Sequence, residues 1–203
     1  PAALPAGLVA WHYAVQLSRP LWGHGSDKGR KRTPWIIGGM GILALGGIVA
    51  VNATILLPVA AIPGTLLAIL AFSMIGAGVG AAGTSLLAML ASGVVPERRA
   101  AAAAITWIMM VAGIVMAAAT AGSLIDPFSE QRLATVSGVV ALCAFLLAWA
   151  AISGIERRLV APAHPHDDAP SASFGEALRE IMGDATARRF AIFVFVSMLA
   201  YAM

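Results

Sequence analysis

Residues 19–35 read RPLWGHGSDKGRKRTPW, and the fold turns on what this stretch is. Arg19, Asp27, Lys28, Arg30, Lys31 and Arg32 fall within fourteen positions. The next 64 residues, Thr33 to Pro96, contain no Asp, Glu, Lys, Arg or His. A charge cluster set against so long an apolar run is the pattern of a polytopic membrane protein, whose connections carry the charge. Composition agrees. The 203 residues are 60% hydrophobic and 11% charged, where a soluble domain is about a quarter charged, and the mean hydropathy is +0.86. The one cysteine, Cys143, excludes an internal disulfide and reads as a buried small residue in an apolar run.

Working outward from the cluster, Pro, Gly and charge divide the rest. Apolar spans are predicted at residues 4–21, 35–57, 65–90, 101–125 and 133–155. Each has roughly the ~20 residues a tilted membrane helix needs, and none alternates as a membrane strand would. The turn PVAAIPG (58–64), the PERR stretch (96–99) and DPFSEQR (126–132) separate them. The fold class is therefore an all-α membrane protein, with residues 1–155 forming an N-terminal transmembrane bundle. Residues 156–189 are more polar and read as a cytoplasmic linker. Within it APAHPHDDAPSAS is flexible in composition, and SFGEALREIMGD carries a capping box, Ser173 with Glu176, and an apolar stripe of Phe174, Leu178, Ile181 and Met182. A short amphipathic helix is expected there. A new apolar run opens at Phe190, the expected start of a second bundle, and the chain reads as part of something longer.

Cations fix the orientation. With the GHGSDKGRKR connection (23–32) in the cytoplasm, alternation of the spans puts twelve of the thirteen Lys and Arg on that side or at its edge, and only Arg132 outside. That asymmetry is the positive-inside pattern. The cluster is then a cytoplasmic hairpin between two spans. Its Gly23, Asp27, Lys28, Arg30, Lys31 and Arg32 follow G-x-x-x-D-[RK] with trailing cations. A short loop turns there while a carboxylate caps a helix or pairs with an arginine; the plainer alternative is charge that only sets topology.

At these residues the chain resembles the major facilitator superfamily, whose signature lies between its second and third helices, although Gly29 here follows Lys28 with one residue fewer than usual. LSRPLWGHGSDKGRKRTPWIIGGM (17–40), VPERRAAAAAITWIMMVAGIVMA (95–117) and LIDPFS (124–129) look like one branch of it, the PucC or bacteriochlorophyll delivery family. The resemblance implies a twelve-helix bundle of which this chain is a fragment, about helix two to the start of helix seven. It also implies a multi-pass protein of the bacterial inner (intracytoplasmic) membrane. There it would help assemble light-harvesting complexes, with bacteriochlorophyll as bound cargo and antenna polypeptides or a reaction-centre antenna complex as partners. Membrane lipids meet the basic hairpin. Members of the family have been labelled synthase subunits, but these residues give no reason to expect an enzyme.

Polar residues in the first span are the candidate pigment or ligand site. His12 and Gln16 share a helix face, Arg19 follows one turn on, and Tyr13 is adjacent. An arginine at mid-membrane costs about 2.5–3.5 kcal/mol on insertion scales, so Arg19 faces the bundle or snorkels to the cytoplasmic end. His12 could ligate the magnesium of a chlorin through a neutral imidazole nitrogen, or be an ordinary hydrogen-bonded interior histidine. Asn52 and Thr54 lie near the outer end of their span and read as satisfying backbone or interfacial water.

Other patterns are set aside. GVGAAG (78–83) matches a dinucleotide fingerprint but lies inside an apolar span, so Gly76, Gly80 and Gly83 read as helix-packing positions. Gly38, Gly39, Gly41, Gly46 and Gly47 suit the same role. HPHDD (164–168) has ligand-type residues without fixed geometry, and no metal site is expected. No span contains Asp or Glu, which disfavours a symporter of polar solutes. The rival to pigment delivery is alternating-access transport of a lipophilic small molecule; a third reading is a structural subunit of a photosynthetic complex.

Overall fold

The computed structural model describes residues 3–28, 31–155, 174–189 and 192–193. Among these the chain is helical, without strands. Its helices are α1 (Ala3–Gln16), α2 (Arg19–Lys28), α3 (Thr33–Leu56), α4 (Ala61–Gly93), α5 (Arg99–Ile125), α6 (Glu130–Ile152) and α7 (Phe174–Gly183), with a 3-10 turn, Pro96–Arg98, before α5. Four are long and apolar enough to cross a membrane: α3, α4, α5 with its leading turn, and α6. The chain is a membrane protein. Contacts divide it into two units, Pro1–Pro162 and Ala163–Met203.

The predicted first span is where sequence and structure part. Instead of one helix over 4–21 there are two, broken at Leu17 and Ser18. Pro20 is the cause, because it has no N–H to give the Gln16 carbonyl. The chain tightens first, Leu17 N–H bonding Ala14 O and Ser18 N–H bonding Val15 O, and then restarts. Ser18 Oγ donates back to Val15 O and accepts from Trp22 Nε1 at 2.9 Å, tying both sides of the break. The new helix runs on through Lys28, so Gly23, Asp27 and Lys28 lie on α2 and not in a loop as expected. Only residues 29–32 connect it to α3, and Arg30 lies outside the described residues.

Other boundaries moved for local reasons. Helix α4 begins at Ala61, inside the expected PVAAIPG turn, because Pro63 falls in the first helical turn where a missing N–H costs nothing. Helix α6 begins at Glu130 rather than 133: Ser129 is its N-cap, accepting the Arg132 N–H. After α6, Gly154 adopts a left-handed φ of 85° as the helix ends.

The first unit is assembled on α4. Its buried residues are Gly64, Ala68, Ala71, Gly76, Gly78, Gly80, Ala81, Ala82, Ser85 and Met89, all but the last small. Small residues let helix backbones approach closely where lipid-like side chains provide little drive to associate. The tightest approach is with α3. A methyl added at Gly39 would lie 2.6 Å from Ala82 N, and one at Gly78 would lie 2.6 Å from Gly39 O. Further along, Gly46 leaves no room against Ile75. Two apolar clusters close the ends of the seam, Leu8 with Ala53 and Ala68, and Ile36 with Met89 and Ile152. By contrast α5 has no buried residue. Cys143 on α6 is exposed, against the expectation of burial, because α6 meets α3 along a different face.

In the second unit α7 covers the expected amphipathic segment. Arg188 Nη1 donates to Met182 O at 3.1 Å at the helix end. Ser173 of the expected capping box, the HPHDD stretch and nearly all of the expected second bundle lie outside the described residues.

Candidate functional site

Depth within the bundle can be read from the helix contacts. Gly46, fourteenth of the 24 residues of α3, meets Ile75 of α4, and the next α4 residue, Gly76, lies against His12: a methyl there would sit 2.9 Å from His12 O. His12 is therefore level with the middle of α3. One turn on, Gly80 faces Arg19 and Trp22: a methyl there would lie 3.6 Å from Arg19 Cγ and 3.3 Å from Trp22 Cδ1. At the end of the spans, Arg32 Nη1 donates to Ala88 O (2.7 Å) and to Ser92 Oγ (2.5 Å). From Gly80 to Ser92 is twelve residues of α4, about 18 Å. Arg19 lies that far inside the level of Arg32, deeper than the sequence position suggested.

At this depth α1 and α2 form a hydrogen-bonded ladder. Arg19 Nη2 donates to Gln16 Oε1. The remaining amide nitrogen, Gln16 Nε2, donates to His12 Nε2 at 2.5 Å, which places the imidazole proton on Nδ1. His12 Nδ1 is itself buried with no partner at hydrogen-bond geometry, although the Phe72 backbone faces the ring. Tyr13 packs edge-on to His12, ring centroids 5.3 Å apart. Arg19 thus reaches back toward the middle of the bundle instead of toward the end of the spans that carries Arg32. Two consequences follow for a ligand. A metal held by His12 Nε2 would require Gln16 to release that nitrogen. The guanidinium, by contrast, has donors to spare and is exposed.

Around the ladder the surfaces are apolar. Trp11 Nε1 donates to Ser73 Oγ at 2.8 Å, pinning α1 to α4. Beyond it, a groove of about 400 Å³ is lined by Ala3, Leu4, Gly7, Leu8, Trp11 and Ile69. His12 and Gln16 do not line it, so this groove and the polar chemistry lie apart. Two further slots of about 300 Å³ each flank the α3–α6 contact and share Ala44, Ala141 and Phe145.

The other predicted residues fall in three groups. Gly76 and Gly80 are packing positions against α1 and α2, whereas Gly83 meets nothing within 4 Å. Gly39, Gly41 and Gly46 face neighbours, while Gly38 and Gly47 do not. Asn52 and Thr54 donate to carbonyls of their own helix, Ile48 O and Ala50 O. The cationic residues prove to be carbonyl clamps. Beside the Arg32 contacts, Arg99 Nε donates to Val94 O (3.1 Å) and Arg132 Nη1 to Asp126 O (2.8 Å) just past α5. A cation at a helix C-terminus suits the helix dipole and its unpaired carbonyls. Lys31 is exposed. Sequence reasoning missed this second role, and it missed the break at Pro20, which was written in the sequence.

Gly25 and Trp22 pack at the Trp35 end of α3. Gly25 leaves room for the Trp35 ring, which would lie 2.9 Å from a methyl there, and Trp22 and Trp35 meet edge to face at 6.1 Å. Ser26 is fully buried and donates to Gly23 O.

Comparison with known proteins adds the following. The family model described as PUCC protein matches residues 1–203. The "Bacteriochlorophyll synthase 44.5 kDa chain" of Rhodobacter capsulatus is 48% identical over 201 residues, covering 99% of this chain and 46% of the relative. The chain thus spans about half the length of that relative. No solved structure matches it significantly.

Proposed function

The chain belongs to the PUCC protein family, and on that footing we propose that it is part of a membrane-embedded assembly factor for light-harvesting complexes, binding bacteriochlorophyll and handing it to antenna polypeptides. The fold of the whole protein is, in this reading, the major facilitator bundle of the bacterial inner membrane. Its partners are antenna polypeptides or a reaction-centre antenna complex, with lipids around it. A catalytic role forms no part of the proposal, and the word synthase belongs to the relative's name.

The observation that carries it is the ladder at the break. His12, Gln16 and Arg19 offer a metal ligand and hydrogen-bond donors at mid-span, beside helices α3 and α4, which contain no Asp or Glu. An intramembrane ionisable group is a functional-site candidate by its cost alone. A magnesium chlorin presents what such a site can use, a metal seeking a neutral imidazole and peripheral carbonyls seeking donors, on a large apolar body. Gln16 then acts as the gate, since Nε2 of His12 is open to a metal only when the amide swings away.

The test is a near-infrared absorption spectrum of the intact protein, gently solubilised and affinity-purified, with its co-purifying polypeptides identified. Bound bacteriochlorophyll together with antenna polypeptides is expected, and His12→Ala should lower the pigment content severalfold while the protein stays folded. A colourless, partner-free protein sinks the delivery reading. The alternating-access alternative has its own support, because transporters commonly place their sites at discontinuous helices near mid-membrane. Ligand-dependent flux in proteoliposomes would favour it.

A further inference from the structure

We propose that a groove between α2 and α3 is the seat of one anionic phospholipid, an acyl chain lying over the glycines of α3 and the phosphate meeting Lys31. The site is separate from the His12 ladder and does not depend on the pigment reading.

Small residues make the groove. Gly39 and Ala81, both buried, form its floor, and the indoles of Trp22 and Trp35 stand beside them. The two rings meet edge to face at 6.1 Å. Pro34, Gly38 and Ile42 lie along the open side and are exposed. A methyl at Gly38 would meet nothing within 4 Å among the described residues, so this glycine leaves space instead of seating a helix. From Pro34 to Ile42 the groove follows α3 for about 12 Å.

Its size selects a chain. The volume is about 180 Å³, below the ~300–1,000 Å³ of pockets that enclose a drug-sized ligand. A tetrapyrrole ring does not fit there, and a stretch of acyl chain does.

Its place selects the headgroup. Arg32, at the N-cap of α3, bonds Ala88 O and Ser92 Oγ at the end of the spans. The groove starts two residues later and runs inward, and Lys31 is exposed at that same end. A cation at the membrane surface with an apolar slot leading inward complements an anionic lipid in both parts. The paired indoles suit this level too, since tryptophan favours the interface. A zwitterionic lipid fills the slot but gains little from the lysine, because its own cation offsets the phosphate.

Trp22 carries the effect further. It lines the groove, and its Nε1 donates to Ser18 Oγ at the break between α1 and α2. A bound chain therefore holds α2 in place, and the lipid stabilises the fold by binding only the native state.

The intact protein, delipidated in detergent and given dioleoylphosphatidylglycerol or dioleoylphosphatidylcholine, tests this by native mass spectrometry and thermal unfolding. Phosphatidylglycerol is expected to be held about fivefold more tightly, the size of one lysine near a charged surface, and to raise the unfolding temperature. Gly38→Leu fills the groove and should remove both the retained lipid and the thermal shift, with circular dichroism checking the fold. Lys31→Gln should keep a lipid in place but bring phosphatidylglycerol down to the level of phosphatidylcholine. Equal retention of the two lipids by the unaltered protein overturns the proposal, as does retention that survives Gly38→Leu. If Gly38→Leu does not fold, phosphatidylglycerol brominated near the glycerol end of its chains decides, by quenching tryptophan emission in the unaltered protein. Quenching that disappears in Trp35→Phe is expected; quenching that Trp35→Phe leaves unchanged means that another segment of protein covers the groove, and the lipid site falls.

Discussion

Helices α4 and α5 are both long and apolar, 33 and 27 residues, yet ten residues of the first are buried and none of the second. Their hydrophobicity does not distinguish them. What differs is where small residues fall and what they face. On α4, Gly76, Gly78 and Gly80 each lie against another helix; on α5, Gly113 and Gly122 meet nothing within 4 Å, and Trp107, Ile108, Met109 and Met116 stand exposed. Apolar composition is a statement about the solvent a helix will accept. Contact is decided by shape, because lipid tails are as apolar as the side chains that would replace them.

The sharpest way to break this contrast is to put the same bulk on both helices. Gly78→Leu drives a side chain into the Gly39 carbonyl and the Leu43 backbone, neither of which can rotate away. It should cost about 3 kcal/mol or more, at or beyond the upper range for overpacking. Gly113→Leu on α5 should stay within about 0.5 kcal/mol, as for a surface change. Thermal unfolding in one detergent compares the two, and equal effects would show that α5 is as tightly partnered as α4.

A smaller effect concerns what fixes α4 lengthwise. Arg32→Ala removes donors from Ala88 O and Ser92 Oγ, and a loss of about 1.5–3 kcal/mol is expected for charge-assisted bonds of this kind. Hydrogen exchange should then rise at the C-terminal turns of α4 and remain unchanged on α5. An unchanged end of α4 would mean that the cation sets topology alone.

The smallest test lies within α4. Gly83→Ala has open space to fill and should be neutral or stabilising by up to about 1 kcal/mol. Gly76→Ala, whose new methyl meets the His12 carbonyl and Val15, should destabilise and push α1 outward. Unfolding midpoints that rank these two the other way round would contradict the assigned contacts.

Much of this was legible in advance. The all-α membrane class follows from 64 residues without a formal charge or histidine, since only helices and closed barrels satisfy the backbone in lipid and no strand alternation is present. Four of the five predicted spans match helices to within a few residues. The span at 4–21 departs at a single residue, because hydropathy is blind to the missing N–H of Pro20. Gly83 meets nothing within 4 Å among the described residues, because spacing alone places a glycine on a helix and not on the face that a neighbour occupies.

The amino-acid sequence by itself determined that the chain lives in a membrane, which end of each span carries the cations, and that His12, Gln16 and Arg19 are the polar residues of the first segment. These are properties of composition and order along one chain. The tertiary structure decided their depth, their partners and their direction. Only packing puts Gly76 against His12 and Gly80 against Arg19, and so sets the ladder at mid-span. Only the geometry of the break turns Arg19 inward to Gln16.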